Sequence, residues 1–340
     1  MTGQPGALVV SLDFELHWGM RDHIGPNDPE FADLRPSRQI VADLAALFAR
    51  RGIRASWATV GFLFASTGRE LAAHLPDVRP AYHQTHLDPY LEAVGEDEES
   101  DPEHLAGSLI RDLAATPGQE LASHTFSHYY CLETGQTEAA LRADLAAAQA
   151  IARLRGLNLT SLVWPRNQWN PRYAAAVLDS GFTCFRGPQP SWGHRARRHD
   201  EQGVLSRAAR LMDSYGGSSP PPTTPWDRVR RRDGLCDIPA SAFLRPYSPR
   251  RRALEPLRLA RLARGLKNAA RAGRIFHLWW HPHNFARHTT QCFDLLNRLF
   301  DEYDRLNDTE GMQSLSMGDV ARVVAGSAAA KTPDRPSASR

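Results

Sequence analysis

Three ionisable residues stand at every second position in the stretch LVVSLDFELHWG, Leu8 to Gly19: Asp13, Glu15 and His17. In an extended chain, residues two apart point to the same side. A strand that opens on a mainly apolar run therefore ends by aiming two acids and an imidazole into one place. A second stretch, HTFSH, sets His124 and His128 four apart. If that turn is helical, both imidazoles lie on one face and can bind one metal ion. Two histidines and one carboxylate, with a position left open for water, form a common catalytic zinc arrangement. Alone, a His-x-x-x-His is more readily a matter of packing. Joined to Asp-x-Glu at another strand end, it reads as a metal centre.

The surrounding pattern has to bring those residues together. Apolar, β-rich segments alternate with helical ones. ALVVSL, IRASWATV, PGQELASHTFSH (ending its strand at His124), NLTSLVWP, FTCFRG, CDIPAS and RIFHLWW read as seven strands. SRQIVADLAALFARRG reads as an amphipathic helix capped by Ser37 and stopped by Gly52. TEAALRADLAAAQAIARLRG and PRYAAAVLDSG read as two more. Strand and helix in repetition imply parallel β/α architecture, and seven strands in one chain imply a barrel-like α/β fold in a single domain spanning 1–330. Two inserted loops interrupt it, at about 74–116 and 192–235, and 331–340 reads as a disordered tail. His74, His83, His86 and His104 fall in the first insertion and are expected at the surface.

In parallel β/α barrels the reacting groups sit where strands end. The strand ends here carry Asp13, Glu15 and His17, then His124 and His128, then Trp164-Pro165-Arg166-Asn167. Asp237 lies in the sixth strand, and His281 and His283 follow the seventh. His277, inside that strand, is expected in the core. Trp279 shares the face of His281 and either lines an acyl pocket or packs a wall.

Composition bounds the answer further. The chain has 340 residues, 42% of them hydrophobic, and a net charge of +3. No run approaches the ~18 apolar residues of a membrane span. The start, MTGQPGALVVSLD, has neither a basic region nor a cleavage-site pattern, so a cytoplasmic location is expected. Cys131, Cys184, Cys236 and Cys292 form no Cys-x-x-Cys pair, so neither a structural zinc site nor a disulfide framework is indicated. Base is clustered: His194 to Arg274 holds 19 Arg and Lys against 7 Asp and Glu. No recognition motif or aromatic interleaving accompanies that charge, which argues against nucleic acid. Arg228, Arg230, Arg231 and Arg232 suit either a solvated face or an anionic handle on a substrate, a phosphate or pyrophosphate. The helix LEPLRLARLARGLKNAAR, with Leu259, Leu262 and Leu266 on one face and Arg258, Arg261 and Arg264 largely elsewhere, suits an outer barrel helix and also peripheral membrane contact.

Five motifs, in order, resemble the polysaccharide deacetylase family, carbohydrate esterase family four, with its NodB homology domain. SLDFELHWG stands where that family has its Asp-bearing first motif, and ASWATVGFLF resembles the apolar second strand. SHTFSH matches the His-x-x-x-His metal motif, and WPRNQWN sits where the family has an Arg-Pro motif. IFHLWWHPHNF resembles the last motif, with a hydrophobic residue two before the catalytic His. The resemblance runs from roughly residue 7 to 290. It departs at two points. Phe14 separates two acids that are usually adjacent, and the second is Glu; Arg166 follows Pro165 where the family's Arg precedes its prolines.

The resemblance implies a distorted (β/α)7-type barrel that removes an N-acetyl group from a sugar with the help of one divalent metal ion, zinc by expectation. It implies Asp13 as base, Glu15, His124 and His128 as metal ligands, Arg166 orienting Asp13, Asp237 supporting the distal histidine, and His281 as the acid that protonates the departing amine. His283 competes with His281, which is preferred because it directly ends the strand. His17, Trp18, Asn167, Trp279 and His283 are expected around the substrate. His17 could also be a third ligand or a capped surface residue. The expected substrate is an N-acetylated sugar of cell-surface glycan or natural-product assembly. The alternatives are a same-fold hydrolase of a cyclic or linear amide, and an inactive glycan-binding module.

Overall fold

The computed structural model describes residues 4–22, 24, 28, 31, 34–189 and 221–329. The 331–340 tail and most of the second insertion lie outside them. Among the described residues, ten strands form one sheet: β1 (Ala7–Phe14), β2 (Ala55–Thr59), β3 (Gln119–Ser123), β4 (Ser161–Val163), β5 (Cys184–Arg186), β6 (Thr224–Pro225), β7 (Cys236–Asp237), β8 (Ala242–Phe243), β9 (Arg274–Trp280) and β10 (Gln313–Leu315). Eight helices accompany them among the described residues: α1 (Leu34–Arg51), α2 (Gly68–Ala72), α3 (Gly107–Ala115), α4 (Glu138–Arg153), α5 (Ala174–Asp179), α6 (Glu255–Ala272), α7 (Thr289–Glu310) and α8 (Met317–Ala329).

The seven expected strands lie side by side as β9-β1-β2-β3-β4-β5-β7, each pair parallel. The sheet curls into a half-barrel. β6 adds antiparallel to β9, β8 pairs with β9, and β10 with β1. These three additions are two or three residues long, too short to leave a periodic signal.

The period of two along each strand decides what faces where. On β1, Leu8, Val10, Leu12 and Phe14 join the outer core beneath the helices. Ala7 and Val9 turn inward, into a smaller cluster shared with Ala58, Ala122, Val163, Cys184, Ile275 and four apolar residues of α8, Met317, Val320, Ala321 and Val324. Continuing that inward column past the apolar belt gives Ser11 and Asp13 on β1. The same step gives His124 beyond β3, Arg186 at the end of β5, and His277, Trp279 and His281 along β9. The functional groups are thus the next residues on faces already committed to the interior.

Two local expectations change. Ser37 lies inside α1, which begins at Leu34, because Pro36 is tolerated in a first helical turn. The first insertion is only partly at the surface: His83 and His86 are exposed as expected, but His104 is not. Leu87, Glu103, His104, Leu105 and Ala106 are buried, and three of its acids have partners: Glu98 pairs with Arg38 and Ser108, Glu103 with Arg35, and Asp101 with His104.

Candidate active site

After β3 the chain does not continue as a helix. Thr125 and His128 adopt φ of +62° and +57°, a left-handed conformation that costs an ordinary residue on the order of 1 kcal/mol or more. Side chains hold the turn in place. The Ser123 hydroxyl accepts from the Thr125 amide (3.0 Å), and Thr125 Oγ1 accepts from Tyr129 N–H (2.7 Å). The buried Asp144 carboxylate accepts from the Phe126 amide (2.6 Å), the Ser127 amide (3.0 Å) and the Ser127 hydroxyl. The expected helical His-x-x-x-His is therefore a braced bend. It still brings the rings of His124 and His128 to 5.1 Å.

Each imidazole is oriented from behind. His124 Nδ1 donates to the Val163 carbonyl at 2.9 Å, which leaves the Nε2 lone pair facing forward. His128 Nδ1 lies 3.1 Å from the Tyr130 hydroxyl, and that hydroxyl donates to Asp22. Both Nε2 atoms stand 3.3 Å from Glu15 Oε2. Two ligands at zinc-bond distances in tetrahedral geometry lie about 3.3–3.5 Å apart, whereas a charge-assisted hydrogen bond draws N and O to about 2.7–2.9 Å. The donor set, the tautomer of His124 and the spacing all fit a divalent ion held by Glu15, His124 and His128. Burial pushes the His128 imidazole down to about 4, so it is neutral and ready to ligate at neutral pH. Burial opposes the ionisation of Glu15, but His281, His124 and His128 prevail and hold its carboxyl well below the usual range.

The longer acid has its own accommodation. A Cβ at Gly19 would stand 2.0–2.4 Å from the Glu15 carboxylate. Only glycine leaves the space into which Glu15 extends.

Asp13 is paired with Arg186 rather than with the expected Arg166. Arg186 donates to Oδ1 at 2.6 Å and to Oδ2 at 2.7 Å, a two-point pair with both residues buried. Burial alone would raise Asp13; Arg186, with His124 and His281 nearby, keeps its carboxyl below the ordinary value. Arg186 is held in turn by Ser11 Oγ (3.1 Å), Asn167 Oδ1 (3.3 Å) and the face of Trp279 (4.1 Å to the centroid). Ser11 Oγ also contacts His277 Nε2 (2.8 Å), whose Nδ1 donates to the Ile238 carbonyl (3.0 Å). His277 is fully buried, as expected of a core residue.

Arg166 does something else. Its own strand end turns away at φ +53°, and its guanidinium pairs with Asp22 and lies over the Tyr130 ring (4.8 Å). Arg166 thus backs His128 through Asp22 and Tyr130.

Other expectations are corrected by position. Trp18 is buried in the core, donating to the His104 carbonyl (2.9 Å) and packed edge-on against Phe62. His17 turns away from Glu15 to Glu92 (2.5 Å), because the short helix after Glu15 breaks the period of two. Asp237 does not reach His281. Its neighbours are Arg231, Asp233 and Gly187, and burial raises it to about 6. His281 Nε2 stands 3.3 Å from Glu15 Oε1 and 3.8 Å from Asp13 Oδ2, and His283 stacks on it with ring centroids 5.0 Å apart. Arg258 and Arg261, expected on α6 away from its leucine face, are buried; Arg258 donates to the Arg245 carbonyl and to Glu255. Arg231 is spent on Asp233 (2.8 Å), while Arg228, Arg230 and Arg232 are exposed.

Arg186 is the main residue the motif reading passed over. It ends the predicted strand FTCFRG, and the strand-end rule that selected Asp13 and His281 would have selected it.

No protein-family profile matches the chain, and no curated protein sequence does. Solved structures do. A "putative polysaccharide deacetylase from Mycobacterium smegmatis" superposes with a TM-score of 0.57 at 12% identity, covering 96% of each chain. A "probable Polysaccharide deacetylase from Pseudomonas aeruginosa PAO1" superposes with a TM-score of 0.52 at 13% identity, covering 93% of this chain and 89% of the other. The chain has the polysaccharide deacetylase fold.

Proposed function

We propose that this protein is a metal-dependent hydrolase that removes the acetyl group from an N-acetylated sugar, giving acetate and an amino sugar. The observation that carries this reading is the meeting, at one mouth of the half-barrel, of an ion-sized Glu15–His124–His128 cluster, an Arg186-backed Asp13 and His281.

A bound divalent ion supplies Lewis-acid polarisation and makes water nucleophilic near pH 7. The protein's own residues divide the remaining work. Asp13 takes a proton from the water that attacks the amide carbonyl. Arg186 keeps that carboxylate ionised and aimed; Ser11, Asn167 and Trp279 keep Arg186 in place. The C–N bond then breaks, and His281 delivers a proton to the leaving nitrogen. His283 is the weaker candidate for donor, since burial beside His281 lowers it to about 4 and it carries no proton at neutral pH. A substrate bearing a phosphate or pyrophosphate is a finer proposal, supported by the exposed Arg228, Arg230 and Arg232.

Acetate release from a panel of N-acetyl sugars and their nucleotide conjugates tests the reading. Release that disappears on chelation and returns with zinc is expected. No release from any member, by protein shown to hold its ion, would favour the glycan-binding alternative.

A further inference from the structure

We propose that His17, Glu92 and His104 form a second divalent-metal site, of the zinc class, that clamps the 74–116 insertion onto the segment following β1. The three side chains place one ligand atom each within 4.8 Å of the others. They come from two parts of the chain: His17 follows Glu15 by two residues, and Glu92 and His104 lie in the insertion.

The local geometry asks for a cation. His104 Nδ1 lies 2.6 Å from Asp101 Oδ1. A carboxylate accepts, so Nδ1 carries a hydrogen. Burial would lower the His104 ring, but Asp101 and Glu92 outweigh it and raise it to about 9, so an ion binding at Nε2 displaces a proton there. This is the carboxylate–histidine pairing that commonly stands behind a metal ligand. Nε2 is buried without a hydrogen-bond partner and faces Glu92 Oε1 at 3.5 Å. That separation is too long for a good hydrogen bond, but it matches the about 3.3–3.5 Å between two ligands of one tetrahedral ion. The same Glu92 oxygen lies 2.5 Å from His17 Nε2, closer than two ligands of one ion would stand, so binding requires Glu92 to swing off His17. Its side chain is 28% exposed and has room to move.

The two histidines are held by their surroundings. His17 is 1% exposed and His104 9%. Their rings meet edge to face at 4.7 Å. The Trp18 indole donates to the His104 carbonyl, and the His17 amide donates to the Glu103 carbonyl at 3.3 Å. Two fixed imidazoles, one adjustable carboxylate and a partly open side suit zinc, with water or the second Glu92 oxygen completing the shell.

The test is zinc content of the full-length protein after chelator stripping, reloading with excess zinc and desalting. Wild type should hold about two ions per chain, and His104→Ala, Glu92→Gln and His128→Ala about one each. A wild type holding one ion, with His104→Ala and Glu92→Gln holding the same, would overturn the proposal: the cluster is then a plain ion-pair staple. Two ions retained in both insertion variants would overturn it too. Glu92→Gln keeps size and shape, so it guards against a folding failure in His104→Ala. A second readout uses His128→Ala, whose first cluster is disabled. Zinc should slow proteolysis within residues 74–116 of that variant at least several-fold, and unchanged cleavage would contradict a clamp.

Discussion

Two clusters of two imidazoles and one carboxylate lie on either side of Leu16, and they are built differently. In the first, Glu15 Oε2 stands off both His124 and His128 at 3.3 Å. In the second, Glu92 lies against His17 at 2.5 Å and away from His104 at 3.5 Å. The ligand atoms of the first stand at ion-ligand spacing and are braced from behind, by Val163, by Tyr130 with Asp22 and Arg166, and by the space at Gly19. In the second, Glu92 is engaged by His17 and would have to move to serve as a ligand beside it. The lesson is that ligand type alone does not set the geometry of such a centre; the groups behind the ligands do.

The largest expected effect breaks the first cluster alone. His128→Ala should lose its tightly held ion and all measurable acetate release, while His104→Ala keeps the catalytic ion and most of the turnover. Elemental analysis and an acetate assay on the same preparations check both halves.

Removing the backing of Asp13 should cost stability as well as rate. Arg186→Met leaves a buried carboxylate without its partner, a change that typically costs about 3–5 kcal/mol. Urea unfolding should register that loss in Arg186→Met and a smaller one in Arg166→Met, whose guanidinium is partly exposed. Equal losses would return Arg166 to the central role its motif suggested.

Gly19→Ala should weaken the first ion about 10–100-fold, the range for disturbing a group that positions a ligand. Glu15→Asp in the same chain should restore part of the affinity, because the shorter acid vacates the space the new methyl needs. A Gly19→Ala variant with undiminished affinity by competitive chelation would show that the longer acid needs no such space.

The smallest effect concerns the bend that carries His124 and His128. Burial lifts the Asp144 carboxyl to about 6, outweighing its bonds to Ser127 and to the Phe126 amide. A folded value above the unfolded one near 4 means that the folded state binds this proton more tightly. The stability so gained is complete below about pH 4 and is lost as pH rises through about 6. Wild type should therefore lose on the order of 1–2 kcal/mol relative to Asp144→Asn between those values. Parallel unfolding curves for the two proteins across that range would contradict the assignment.

Much of this arrangement was legible in the sequence. Strands buried on both faces read as apolar runs, so all seven parallel strands were visible, and the residues at their ends named Asp13, Glu15, His124, His128 and His281. Other features were hidden for physical reasons. The bend at Thr125 depends on Asp144, far along the chain in α4. The Asp13–Arg186 pair joins residues 173 apart, and no local pattern announces it. His104 looked like one of several surface histidines because its burial comes from Trp18 and His17, which belong to another segment. Arg258 and Arg261 were placed on the solvent side of α6 by charge, whereas the Arg245 carbonyl and Glu255 give Arg258 buried partners.

The division of labour between the two acids of the opening strand is the centre of this account, and zinc content measured together with acetate release in two variants tests it most directly. Asp13→Asn should keep its zinc and lose about 10²–10⁴ in turnover, the usual cost of removing a general base. Glu15→Gln should come out without tightly bound zinc. An Asp13→Asn protein that is zinc-free beside a Glu15→Gln protein that is fully loaded would contradict the account.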